Sequence, residues 1–141
     1  MFKRTLCLFF LLSLSLQLDL DGAEIFTIAR SDTKPSFSIT SSQKFALKFS
    51  SNPTTGSDWY LLNSDEVKST GIFEFLNLNA NNGGEFVPEK HEKRIAGYGG
   101  NTYFLMKSNE ILGEVELRFE YKRIWENGNV MEKTVVIKVA N

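Results

Sequence analysis

The chain has 141 residues, of which 42% are hydrophobic and 23% are charged, and its formal net charge is −1. This length suits one domain with its own core, and the near-neutral charge gives no electrostatic basis for binding nucleic acid or an anionic membrane. With one histidine and one cysteine, the chain lacks the residues that nucleophilic catalysis and most metal sites need, so we expect no enzyme activity, no cofactor and no metal.

The first residues have the pattern of a secretory signal peptide. Lys3 and Arg4 form a basic segment, and an apolar run follows over residues 6–16. This run is shorter than the about 20 apolar residues that a membrane-spanning helix needs, which favours a cleaved signal over an uncleaved anchor. We therefore expect residues 1–23 to be the signal, with a cleavage point that the sequence does not define.

Residues 24–141 are expected to form a single domain without a disulfide, because the only cysteine, Cys7, lies in the signal. No second apolar run follows, so we expect no association with a membrane after signal removal. We expect a monomer that enters the secretory pathway and is either secreted or kept in lysosome-like vesicles.

Strand-like segments alternate with turn clusters through the rest of the chain. Seven segments have this pattern: 25–29, 44–49, 59–62, 71–78, 103–106, 114–122 and 134–139. In 114–122, apolar and charged residues alternate strictly, which predicts a strand with one buried and one exposed face. Residues 65–69 are expected to form one helical turn. About seven short strands at this spacing predict an all-β, two-layer antiparallel sandwich.

The turn clusters between these strands are rich in Asn, Gly and Pro. We expect the Asn-rich residues 77–84 to be a flexible loop and the charged residues 88–94 to be a solvated connection, with His91 as an exposed surface histidine. Asn127-Gly128 lies between two alternating segments and predicts a hairpin turn.

Three of the loops have a distinctive composition. They read Asn52-Pro53-Thr54-Thr55-Gly56 followed by Trp59, then Gly97-Tyr98-Gly99-Gly100, then Arg123-Ile124-Trp125. Taken singly, each has a plain structural explanation as a rigid turn, a glycine hairpin or a core tryptophan. Trp59 begins an apolar run and is expected in the core. Trp125 continues the alternation of buried positions begun by Phe119 and Tyr121, which would place it in the core. It also precedes a polar turn, however, and this favours a position at a loop tip.

In this order on an all-β chain, the three motifs resemble those of the chagasin family of cysteine-peptidase inhibitors, over nearly the whole chain after the signal. The resemblance implies an immunoglobulin-like sandwich whose three loops, at one end, block the active-site groove of papain-like cysteine peptidases by reversible, competitive inhibition. It implies that the protease-binding residues are Asn52, Pro53, Thr54, Thr55, Gly56, Gly97, Tyr98, Gly99, Gly100, Arg123 and Trp125.

The resemblance also implies a role for each loop. The tip at Thr54, Thr55 and Gly56 would enter the groove over the catalytic cysteine, the glycine loop would line one wall, and Trp125 would pack on the opposite side. Two positions depart from the family pattern: Ser57 stands where an aromatic residue is usual, and Ile124 replaces a proline. We expect these departures to affect potency and target preference more than the function itself.

A second class of function is compatible with the same fold. The protein could be a secreted immunoglobulin-like adhesion or carbohydrate-binding module. Such a module would bind through a sheet face or an aromatic platform, whereas an inhibitor of this kind needs three loop tips that converge at one end.

Overall fold

A computed structural model describes residues 18–89, 99–123, 125 and 131–141. Within these residues the chain forms nine strands: β1 (Glu24–Ile28), β2 (Ser36–Ile39), β3 (Lys44–Ser51), β4 (Ser57–Leu61), β5 (Phe73–Phe75), β6 (Glu85–Pro88), β7 (Gly100–Ser108), β8 (Gly113–Arg123) and β9 (Met131–Val139). One short helix, α1 (Ser64–Thr70), follows β4, and a 3-10 turn (Pro53–Thr55) lies between β3 and β4.

The strands form two sheets. In the first sheet the order is β1, β3, β7, and both β5 and β6 pair with the far side of β7. In the second sheet the order is β2, β9, β8, β4. The alternating residues of β3, β7, β8 and β9 supply the apolar face of each sheet, so the two sheets can bury these faces against each other. The predicted two-layer, immunoglobulin-like β-sandwich is therefore confirmed.

Aromatic rings from both sheets fill the core. Phe49 and Phe104 from the first sheet each have ring centroids 4.8 Å from that of Phe119 in the second. Trp59 stacks on Phe49 at 4.7 Å and is 3% exposed, which confirms its predicted place in the core. Its indole N–H donates to the Ser50 carbonyl at 3.0 Å, so its one polar atom is satisfied.

Two strands of the sandwich were not among the predicted segments, and two strand pairs are parallel. The unpredicted strands are β2 and β6, each only four residues long. The parallel pairs are β1 with β3 and β2 with β9. After β1 the chain crosses from the first sheet to the edge of the second, where it forms β2. Neither β1 nor β2 is therefore joined to its partner by a hairpin, the connection that would make the pair antiparallel.

The predicted strand at residues 71–78 is shorter than expected. Gly71 has φ +70 and ends α1, with its N–H bonded to the Lys68 carbonyl, so the strand begins only at Phe73. The Leu76 N–H still donates to the Leu105 carbonyl of β7 at 2.9 Å. The Asn77 side chain then replaces the backbone by donating to the Tyr103 carbonyl and accepting from the Leu105 N–H, both at 2.9 Å. The helical turn expected at 65–69 is present as part of α1.

Several predictions concern residues outside the described ranges. These are the signal up to residue 17, residues 90–94 of the solvated stretch with His91, the residues Gly97 and Tyr98 of the second loop, Ile124, and the hairpin turn at Asn127-Gly128. Pro88, at the start of the predicted solvated stretch, is instead the last residue of β6. In the part of the chain that the structure does describe, no helix has the length and apolar character needed to cross a bilayer.

Candidate functional site

Strand pairing brings the three loops to the same end of the sandwich. β3 ends at Ser51, which pairs with Gly100 at the start of β7, so the first loop leaves the sheet where the second loop enters it. β4 begins at Ser57, which pairs with Arg123 at the end of β8, so the first loop rejoins the fold where the third loop departs. The register of two antiparallel pairs therefore places all three loop roots side by side.

The first loop is a closed turn fixed by its own hydrogen bonds. The Asn52 carbonyl accepts from the Thr55 N–H at 3.2 Å and from the Thr55 hydroxyl at 2.8 Å, and the Pro53 carbonyl accepts from the Gly56 N–H at 2.8 Å. The Thr54 hydroxyl donates to the Asn52 side-chain carbonyl. Gly56 adopts φ +84, which a side chain would strain. The two threonines are exposed at the tip.

The third loop packs directly on the first. The Arg123 Nε donates to the Thr55 carbonyl at 3.0 Å. The indole of Trp125 lies over Gly56, so closely that a Cβ added to that glycine would stand 2.3 Å from the indole Cη2. Gly56 is thus required both by its backbone conformation and by the ring above it. Trp125 remains 69% exposed, so most of the indole is available to a partner and the ring lies at the tip rather than in the core.

The described part of the second loop lies against the first loop and the sheet edge. A Cβ on Gly99 would stand 3.0 Å from the Ser51 carbonyl, and a Cβ on Gly100 would stand 2.3 Å from the Val87 carbonyl. The Gly99 carbonyl also accepts from the Glu89 N–H at 3.3 Å. The absence of side chains therefore lets this backbone pass between neighbouring strands.

A polar layer separates the loops from the aromatic core. The Asp58 carboxylate accepts from the Thr102 hydroxyl at 2.6 Å and from the Trp59 N–H at 2.7 Å, and the Thr102 oxygen lies 2.7 Å from that of Ser51. Burial raises the pKa of the Asp58 carboxyl above its ordinary value of 3.8, while the two hydrogen bonds lower it in part. Sequence reasoning missed this layer, although an acidic residue between a loop and a core tryptophan was a visible signal.

The structure thus gathers most of the predicted site residues. Those found together at this end are Asn52, Pro53, Thr54, Thr55, Gly56, Gly99, Gly100, Arg123 and Trp125. Ser57, at the family's aromatic position, is buried at the start of β4. Across the described ranges, no group of three or more His, Cys, Asp or Glu side chains is placed to hold a metal ion.

Comparison with known proteins identifies the family. The crystal structure of the cysteine protease inhibitor EhICP2 from Entamoeba histolytica is similar, with a TM-score of 0.62 and 18% identity over 84% of this chain and 96% of that one. The solution structure of amebosin is also similar, with a TM-score of 0.57 and 22% identity over 84% of this chain and 100% of that one. A search of curated proteins gave no significant match. The model of the chagasin family peptidase inhibitor I42 matches residues 38–139, which is most of the chain, and the chain therefore belongs to this family of inhibitors and not to a family of enzymes.

Proposed function

We propose that the protein is a reversible, competitive inhibitor of papain-like cysteine peptidases and that its three loops fill the active-site groove. The observation that carries this proposal is the register of β3 with β7 and of β4 with β8, which gathers the loop roots at one end. Family membership supports an inhibitory function. A sheet-face module of the adhesion or carbohydrate-binding class would not need the first and third loops to be braced against each other.

The closed first loop explains how it can enter a peptidase groove without being cleaved. Peptidases attack a carbonyl that is presented in an extended segment with the right approach for the nucleophile. Here the carbonyls of Asn52 and Pro53 are bonded within the turn, and that of Thr55 is bonded to Arg123. Three of the four carbonyls from Asn52 to Thr55 are thus turned toward the inhibitor's own donors, so the loop is a closed wedge and lacks the extended backbone of a substrate.

The composition of this end fits a binding interface. Large aromatic side chains and arginine dominate the binding energy of most protein interfaces, and here Trp125 is exposed beside Arg123. Because the internal bonds of the first loop and its contacts with the third already fix the tip, little conformational entropy is lost on docking. We expect an interface of standard size, roughly 1,600 Å² in total.

We expect the purified protein to raise the apparent KM of papain for a peptide substrate without lowering its maximal rate. Excess substrate should restore full activity, and mass spectrometry after incubation should recover the inhibitor uncleaved, because the carbonyls of Asn52, Pro53 and Thr55 are bonded to the inhibitor's own donors. A serine peptidase assayed in parallel serves as the control. Failure to inhibit any of several papain-like enzymes, or inhibition that excess substrate cannot relieve, would contradict the proposal.

We expect inhibition to vary by less than about threefold between about pH 5 and 7, because none of the three loop motifs contains a histidine, the side chain with an ordinary pKa of about 6.5. The inhibition constant is measured at each pH, and the titration of the peptidase alone is subtracted. A change of about tenfold or more across this window would show that a group with a pKa in this range governs docking.

A further inference from the structure

The polar layer beneath the loops connects three residues that each adjoin a loop. Ser51 immediately precedes Asn52, Asp58 follows Gly56 by two positions, and Thr102 follows Gly100 by two. Thr102 is fully buried and Ser51 is 4% exposed. The layer therefore ties both ends of the first loop to the strand that begins at the second loop, across the gap between the two sheets.

The hydrogen-bond directions in this layer follow from chemistry. An ionised carboxylate can only accept, so the Thr102 hydroxyl donates to Asp58. With its hydrogen used there, the Thr102 oxygen accepts from the Ser51 hydroxyl. The result is a chain of donors from Ser51 through Thr102 to Asp58, in which the carboxylate polarises each bond.

We propose that Ser51, Thr102 and Asp58 form a clamp that sets the separation of the first and second loops, and that Asp58 is thereby a positioning residue for docking on a peptidase. This inference rests on the proposed function for its effect on inhibition, while the clamp itself can be tested without an enzyme. Asp58 lies between Gly56, the last residue of the first loop, and the core residue Trp59, so its carboxylate is held at the root of the loop.

In the described part of the chain, the charged or titratable neighbours of the clamp lie on β4 and β8: Tyr60, Lys122 with its ion-pair partner Glu120, and Tyr121, whose hydroxyl accepts from the Asn52 N–H at 3.4 Å. Lys122 on β8 is the register partner of Asp58. Tyr60, on the same strand as Asp58, has a pKa raised by burial and by the Asp58 charge, and the Lys122 ammonium, which lies 5.9 Å from its ring centroid, lowers this pKa in part. Thr102 on β7 carries no charge. Asp58 is therefore the group in the clamp whose own titration changes its hydrogen bonds.

The first test replaces Thr102 with valine, which keeps the shape of the side chain and removes the hydroxyl. Ser51 and Asp58 then lose their shared partner, and we expect the inhibition constant for papain to rise about tenfold, mainly through faster dissociation. Ser108→Ala is the matched control, because Ser108 is a buried hydroxyl with hydrogen bonds at the opposite end of the same strand. It should cost comparable stability and leave inhibition unchanged.

The second test uses the conservative variant. Asp58→Asn keeps the accepting oxygen and should inhibit within about threefold of the unmodified protein, whereas Asp58→Ala should match Thr102→Val. In the unmodified protein, the NMR amide signals of Trp59 and Thr102 should both shift with the ionisation of Asp58, with a common midpoint above pH 3.8. In Asp58→Asn this shared pH-dependent shift should be absent.

These two tests separate the failure of the clamp from the failure of the proposed function. If the unmodified protein inhibits and Thr102→Val and Ser108→Ala have the same effect on inhibition, the positioning role is wrong. If the unmodified protein inhibits no papain-like enzyme, the proposed function and the docking role fail together, while the shared titration of Trp59 and Thr102 still decides whether the clamp exists. Independent titration of these two amides would overturn the clamp itself.

Discussion

Replacing Gly56 with alanine is expected to weaken inhibition of papain by about 100-fold or more. Two costs combine. A non-glycine residue at φ +84 is strained by about 1–2 kcal/mol. The new Cβ would also lie 2.3 Å from the Trp125 indole, so the ring must shift from its place over the first loop. Inhibition constants and thermal unfolding of both proteins measure the two consequences separately.

Gly71→Ala is the matched control for this substitution. Gly71 also has positive φ, +70, but it ends α1 next to Ile111, at the end of the sandwich away from the loops. It should lose a similar amount of stability and inhibit normally once folded. If Gly56→Ala inhibits as well as Gly71→Ala, the packing of the third loop on the first has no part in docking.

Replacing Trp125 with alanine is expected to weaken inhibition by about 2 kcal/mol, or about 30-fold, with little change in melting temperature. The indole is 69% exposed, so its removal leaves no cavity in the core. Trp59→Ala is the contrasting variant: that ring is 3% exposed and stacked on Phe49, and its loss should cost about 3–5 kcal/mol of stability. Dissociation rates and thermal unfolding distinguish the two tryptophans.

The double variant Gly56→Ala/Trp125→Ala tests whether the two residues act together. Both single changes displace the indole from its place over the first loop. The double variant should therefore lose less binding free energy than the sum of the losses in the two single variants. Full additivity would mean that Trp125 contributes to binding independently of Gly56. A Trp125→Ala protein that is strongly destabilised yet inhibits normally when folded would show that the ring supports the fold and not the interface.

The long central strands were predictable because alternation of apolar and charged residues is a local signal. Residues 114–122 predicted β8 almost to its observed bounds, Gly113–Arg123. β2 and β6 escaped prediction because four residues show too little periodicity, and their pairing with β9 and β7 depends on contacts distant in sequence. The break between β5 and β6 depends on the Asn77 side chain, which sequence pattern alone does not place against β7.

The residue types of the candidate site were predictable, but their mutual contacts were not. The glycine and tryptophan motifs are visible along the chain, whereas the packing of Trp125 on Gly56 follows from the register of β4 with β8. The bond between Thr102 and Asp58 joins residues 44 positions apart in different sheets. Local sequence carries no direct signal for such pairs, since a shift of one residue in register would turn each side chain to the other face.

Amide hydrogen exchange of the protein, free and bound to papain, tests the central claim most directly, because it reports which end of the sandwich the peptidase covers. We predict added protection in the complex at residues 54–56, 99–101 and 123, with exchange at Gly71 and Gly113, at the far end, unchanged. Protection at the far end or across an outer sheet face, with the exchange of the loop amides unaltered, would contradict the account.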